Sequence, residues 1–126
     1  PGWLLTRRSI GPDTLGGFEV PPGTDVFISP YLVHRHPRHW SRPEAFDPGH
    51  FDAAQVEARD AFAYIPFAAG PRHCIGQNFS LYEILLHFNF AVRRFRLTDP
   101  RPARPALEAR INLRTASDVH MRIQQR

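Results

Sequence analysis

Between Gln77 and Phe95 the chain carries neither glycine nor proline, and its apolar residues fall on two helical faces. Phe79, Tyr82, Leu86 and Phe90 share one face, and Leu81, Leu85, Phe88, Val92 and Phe95 share another. A helix apolar on most sides is buried on most sides, so 77–95 is predicted as a long buried helix that needs partners on both faces. Upstream, "GGFEVPPGTDVFIS" (16–29) holds two short apolar runs, 18–20 and 25–29, split by Pro and Gly. That pattern predicts a hairpin-like strand pair. "YLVHRHP" then predicts one helical turn ending before Pro37. From 36 to 71 little regular structure is expected: a turn in "WSRPEAF" and a short helix in "DAAQVEARD" (52–60), with Asp52 as its N-cap. Trp40, Phe46, Phe51, Phe62, Tyr64 and Phe67 punctuate this stretch, as in a loop packed over a surface. Past "TDPRPARP", the alternating runs "LEARINLR" and "VHMRIQQR" predict a terminal hairpin about a 115–118 turn.

Composition narrows this picture. A chain of 126 residues, 42% hydrophobic and 22% charged, has ordinary globular composition and the length of one domain. Its 13 prolines leave room for a long regular element only between Pro71 and Pro100. It starts at Pro1 and its single methionine is Met121, so the residues read as part of a longer chain. One cysteine excludes an intramolecular disulfide and with it the small secreted disulfide scaffold. No apolar run approaches the roughly 20 residues of a membrane span. A cytoplasmic location is the expectation for a bacterial source, with an upstream membrane anchor left open. All 16 basic residues are arginine and the net charge is +4, but only Arg93, Arg94 and Arg96 cluster tightly. So scattered a charge ranks nucleic-acid binding low.

"FAAGPRHCIG" (67–76) contains the lone thiol, Cys74, directly ahead of the long helix. The first free N–H groups and the positive end of the helix dipole then point back at its sulfur and favour the thiolate. Gly70 and Gly76 bracket the loop where chain reversal or close approach to a ligand would exclude a Cβ. Arg72, two positions before the sulfur, can reach an anionic group beside it. Phe67 could shield the sulfur from water and oxidation. Taken singly, Cys74 would be a small buried hydrophobe near a helix start.

Taken together, residues 67–76 match Phe-x-x-Gly-x-Arg-x-Cys-x-Gly at all five fixed positions, the signature of the cytochrome P450 haem-thiolate monooxygenases, which the chain resembles over essentially its whole length. "GGFEVPPGTDVFISPYLVHRHPRHW" resembles that family's strand pair and His-Arg-x-Pro segment, and "RPEAFDPGHF" its meander. The resemblance implies an α+β fragment of a mainly α fold, the C-terminal haem-binding portion of one domain over 1–126. Within it, 1–35 would be the strand pair and short helix, 36–66 the meander and 67–76 the cysteine loop. The core helix, 77–95, and the C-terminal β region, 96–126, would follow. It also implies haem b as cofactor. Cys74 would be the axial iron ligand and the catalytic residue, its thiolate pushing electron density to favour O–O cleavage. Phe67 would pack beside the sulfur, Gly70 and Gly76 would shape the loop, and Arg72 would pair with one haem propionate. Arg7 would pair with the other, with Arg8 the weaker candidate. The implied reaction inserts one oxygen atom of O2 into a small organic substrate. Electrons would come from a donor protein or domain, a ferredoxin or flavin reductase. "GPRHCIGQNFSLYE" is closest to the fatty-acid and alkane hydroxylating branch, which points to a lipid-like substrate.

Departures qualify that picture. His50 stands where the family's meander usually has an arginine. The partner Glu-x-x-Arg pair and the oxygen-handling helix have no counterpart in these residues, so the fragment alone is expected to be inactive. A truncated remnant that binds haem weakly or not at all is the alternative reading. His34, His36 and His39 with Cys74 could form a zinc site, but paired ligands at both ends are wanting, and a solvated or capping role ranks above it. His73 as a base for Cys74 ranks low because sequence neighbours point apart, and Glu83, though it matches a common acidic position of the family, reads as an exposed or helix-paired carboxylate.

Overall fold

The computed structural model describes residues 2–99 and 104–126, so the centre of the expected "TDPRPARP" break lies outside the described residues. The chain forms two compact units, one up to Ala69 and one from Gly70 onward. The division falls inside the cysteine loop.

The first unit opens with four strands, β1 (Leu5–Arg8), β2 (Asp13–Leu15), β3 (Phe18–Val20) and β4 (Asp25–Ile28). The expected strands 18–20 and 25–29 are both present, but they do not pair with each other. β2 pairs with β3 and β1 with β4, both antiparallel, so a short hairpin is nested within an outer pair. The turn chemistry explains the correction. Leu15 faces Phe18 across a two-residue loop whose glycines, Gly16 and Gly17, have φ of 57° and 87°. Two successive positive φ values suit the twist of a tight hairpin. Pro21 and Pro22 lack N–H groups to continue a ladder, and the chain bends there toward the outer pair. That bend is held by Ser9, whose hydroxyl donates to the Pro21 carbonyl at 2.7 Å and whose backbone exchanges bonds with Gly23 and Thr24.

Ser29 starts the expected helical turn, α1 (Pro30–Val33), by accepting from the Leu32 N–H and donating to the Trp3 carbonyl at 2.9 Å. Pro30 at the first helical position supplies a φ already suited to the helix. The expected short helix is α2 (Ala53–Ala58); Asp52 occupies its N-cap position, but its side chain makes no capping bond. Capping by aspartate occurs instead at two 3₁₀ turns. Asp47 accepts from Gly49 N–H ahead of Pro48–Phe51, and Asp60 from Phe62 N–H ahead of Ala61–Ala63.

The second unit is built on α3 (Gln77–Arg94), with β5 (Phe95–Thr98), β6 (Leu107–Ala109), β7 (Leu113–Thr115) and β8 (Arg122–Gln125). Phe95, expected as the last helical residue, opens β5. The predicted terminal hairpin is also corrected. "LEARINLR" is itself a hairpin, β6 with β7, while β8 pairs antiparallel with β5. Glu108 faces Arg114 in the β6–β7 register and holds both Arg110 and Arg114, at 2.8 and 2.9 Å. Leu97 faces Ile123 in the outer pair. Expected to be buried, α3 instead leaves its apolar residues exposed: Phe79 is 74% exposed, Leu85 64% and Phe88 64%. Its two apolar faces need cover on both sides, and these residues do not provide it. Among the described residues the buried hydrophobics are Trp40 and Ala63, and no helix is long and apolar enough to cross a membrane.

Candidate functional site: the cysteine loop and its support

Trp40 organises the segment that leads to the cysteine loop. Its indole N–H donates to the Val33 carbonyl at 3.1 Å, and His34, His50, Phe51 and Tyr64 lie around its ring at centroid distances of 5.5–6.3 Å. Arg59 lays its guanidinium over the same ring at 3.9 Å and donates to the His50 carbonyl. Cation–π contact and aromatic edge-to-face packing thus take the place of a conventional aliphatic core here. His50 spends its Nε2 on the Ser41 carbonyl and stands edge-on to Trp40. Of the six aromatics expected to pack, Trp40, Phe51 and Tyr64 form this cluster, whereas Phe46 and Phe62 are largely exposed.

Tyr64 continues from this cluster into the loop. The next residue, Ile65, donates its N–H to His34 Nε2 at 2.9 Å, and its carbonyl accepts from Ala68 N–H at 3.2 Å. Ala68 has φ of 63° and Gly70 φ of 70°. Two left-handed residues therefore flank Ala69, one of them bearing a side chain, and the chain reverses sharply. Phe67, half-buried, closes the first unit's share of the loop.

In the second unit, Gly70–Arg72 forms a single 3₁₀ turn, and Cys74 follows, exposed. Its carbonyl accepts from Gln77 N–H at 3.4 Å, so the cysteine is wound into the approach to α3. Gly76 is the N-cap of α3, with no side-chain capping bond. Of the two bracketing glycines, only Gly70 has a backbone that disfavours other residues. Gly76 has an ordinary φ of −84°, and the one heavy atom that an added Cβ would meet within 4 Å is Cys74 Sγ, at 3.8 Å. What its missing Cβ leaves open is the space alongside the sulfur.

The two expected anion-pairing arginines are exposed, and among the described residues neither is paired with a carboxylate. Arg72 has no side-chain bond there, and Arg7 reaches only the adjacent Thr6 carbonyl. Arg8 differs: it forks onto Asp25 at 2.7 and 2.8 Å, which raises its pKa and lowers that of the carboxyl, in both cases chiefly through their hydrogen bonds. The histidines of "HRHPRH" do not assemble a metal site. His34 Nε2 is taken by Ile65, His36 Nδ1 accepts from Arg38 N–H, and among the described residues no three His, Cys, Asp or Glu side chains group as metal ligands. Sequence reasoning placed His34 only in a solvated or capping role and did not single out Arg59. The signal available was a histidine and an arginine within an aromatic-punctuated loop, groups such a loop can bury by stacking.

The sequence model of the cytochrome P450 family matches residues 1–117. Cytochrome P450 4V2 of Homo sapiens is 34% identical over 128 residues, covering 100% of this chain and 24% of the relative. Cyclooctatin synthase of Streptomyces melanosporofaciens is 38% identical over 97 residues, covering 77% of this chain and 21% of the relative. Among solved structures, the haem domain of cytochrome P450DA superposes with a TM-score of 0.90 at 26% identity, over 99% of this chain and 28% of that one. The chain spans about a quarter of the length of these relatives. The chain therefore belongs to the cytochrome P450 family of monooxygenases, whose cofactor is a haem with thiolate-ligated iron.

Proposed function

We propose that this chain holds the haem iron of a cytochrome P450 monooxygenase through Cys74. The observation that carries this assignment is the Cys74 sulfur, exposed at the approach to α3, with Gly76 carrying no Cβ where one would lie 3.8 Å from it. A lone sulfur fits haem, since the porphyrin would itself supply most of the iron's ligands and ask the protein for a single donor, here Cys74. A metal held by side chains alone would require several ligands, and the described residues offer no such group.

When bound, the haem supplies the chemistry by which one atom of O2 enters an organic substrate. The residues of this chain bind, orient and shield. Cys74 donates charge from its thiolate. By the family resemblance Phe67 would shield the sulfur from water, while Gly70 turns the loop and Gly76 leaves open the space alongside the sulfur. Arg72 and Arg7, free of carboxylate partners among the described residues, suit the two propionates, whereas Arg8 is committed to Asp25. For the substrate we infer a lipid-like molecule, on the likeness of 70–83 to the fatty-acid and alkane hydroxylating branch. For the electron donor we infer an acidic ferredoxin or flavodoxin-type domain that meets exposed arginines.

The test is a reduced carbon monoxide difference spectrum of the intact protein and of its Cys74→Ala variant. A thiolate-type Soret band that disappears in the variant is the expected result; a band unchanged by the substitution overturns the ligand assignment. An intact protein that takes up no haem at all supports the remnant reading instead.

A further inference from the structure

We propose that His34 is a positioning residue for the cysteine loop, holding Ile65 by accepting its backbone N–H, and that protonation of the imidazole opens this latch. The inference rests on the assignment of 67–76 as the haem-holding loop. Its own support is geometric and lies wholly within the first unit. Ile65 N–H donates to His34 Nε2 at 2.9 Å across 31 positions of sequence, two residues before Phe67. An imidazole can accept only at an unprotonated nitrogen, so this bond requires the neutral ring with its proton on Nδ1. The ring is fixed by Tyr64 at 5.0 Å and Trp40 at 6.3 Å between centroids. The Ile65 carbonyl in turn holds Ala68, whose left-handed φ begins the loop's reversal. His34 therefore fixes the donor side of the residue on which that turn is built.

Arg35 follows the ring in the chain, the Tyr64 ring lies tilted against it, and beyond Trp40 lie the Arg59 guanidinium and His50. Partial burial first, and the Arg35 charge second, hold the imidazole below its ordinary value of 6.5. A depressed histidine stays neutral in the fold while the unfolded chain already takes up its proton. The latch is thus fully engaged above 6.5 and is lost as pH falls from there through the lowered folded value. Once protonated, Nε2 presents an N–H to the Ile65 N–H, and the acceptor becomes a second donor.

The test is amide hydrogen exchange at Ile65 in the intact haem-loaded protein, as a protection factor corrected for intrinsic rate, read with the thiolate-type Soret band. In the wild type the protection factor should fall on the order of tenfold as pH drops through the His34 titration, and the share of thiolate-type band should fall with it. His34→Phe should show the low protection at every pH. His34→Gln, which keeps an acceptor that does not titrate, should restore it and abolish the pH step. A wild-type protection factor flat across this range overturns the proposal, even if His34→Phe fails to fold. So does a falling protection factor with an unmoved Soret band, because the latch would then position nothing. Failure of the haem assignment is read separately, in Cys74→Ala.

Discussion

Arg7 and Arg8 are neighbours on β1, and adjacent strand residues point to opposite faces. Arg8 sits opposite Asp25 in the β1–β4 register and forks onto it, while Arg7 sits opposite Val26, which offers no charge. The arginine without a carboxylate is the one suited to a propionate, and the two can be told apart by experiment. Arg7→Gln should speed haem loss to an apoglobin acceptor by roughly tenfold or more, the scale of one charge-assisted hydrogen bond. Arg8→Gln should leave it within about twofold, since its ion pair is solvent-exposed. Equal effects of the two substitutions would count against the assignment. At this scale the family signature was legible, Cys74, Arg72 and the two loop glycines included, because it is compressed into ten consecutive residues. His34 was not, because its partner lies 31 positions away and only folding brings them together.

Elements were legible where a single run of residues determines them. α3 was found within one residue of its end, because an uninterrupted stretch without Gly or Pro admits helix and little else. Strand pairing was not, at either end of the chain. Both β regions nest a short hairpin inside an outer pair, and the outer partners, β1 with β4 and β5 with β8, are remote in sequence. Several short alternating runs can pair in more than one way, and the tight turns, Gly16–Gly17 in one case, decide among them. The C-terminal end of α3 bears Arg93 and Arg94, both exposed, the latter with its guanidinium 4.4 Å from the Phe90 ring. Two cations at a helix C-terminus are locally favourable, and the proposed acidic electron donor can be tested against them. Arg93→Glu with Arg94→Glu should slow reduction by an acidic ferredoxin at low salt and flatten the salt dependence of the rate. Stopped-flow reduction unchanged by the charge reversal would remove these residues from the donor surface.

On the scale of the whole molecule, the described residues bury few hydrophobic side chains and expose a helix apolar on two faces. The chain spans about a quarter of its relatives' length, and the pattern of α3 is that of an element covered from both sides. The proposed lipid-like substrate is tested at this scale too. Long-chain fatty acids titrated into the intact haem-loaded protein should shift its Soret band, saturably and more tightly with added CH₂ groups. A chain-length series that leaves the band in place would exclude that substrate class.

From its letters alone this chain determined its family, its single cysteine, its long helix and the aromatic character of the segment before the loop. All of these depend on residue type at short spacing, and short spacing is what a sequence preserves directly. Tertiary structure alone decided which strands pair, which of two adjacent arginines is already neutralised, and that a histidine read as solvated or capping spends its lone pair on Ile65. Each of those depends on contacts between distant positions, where hydrogen-bond direction and register select one partner among several that composition permits.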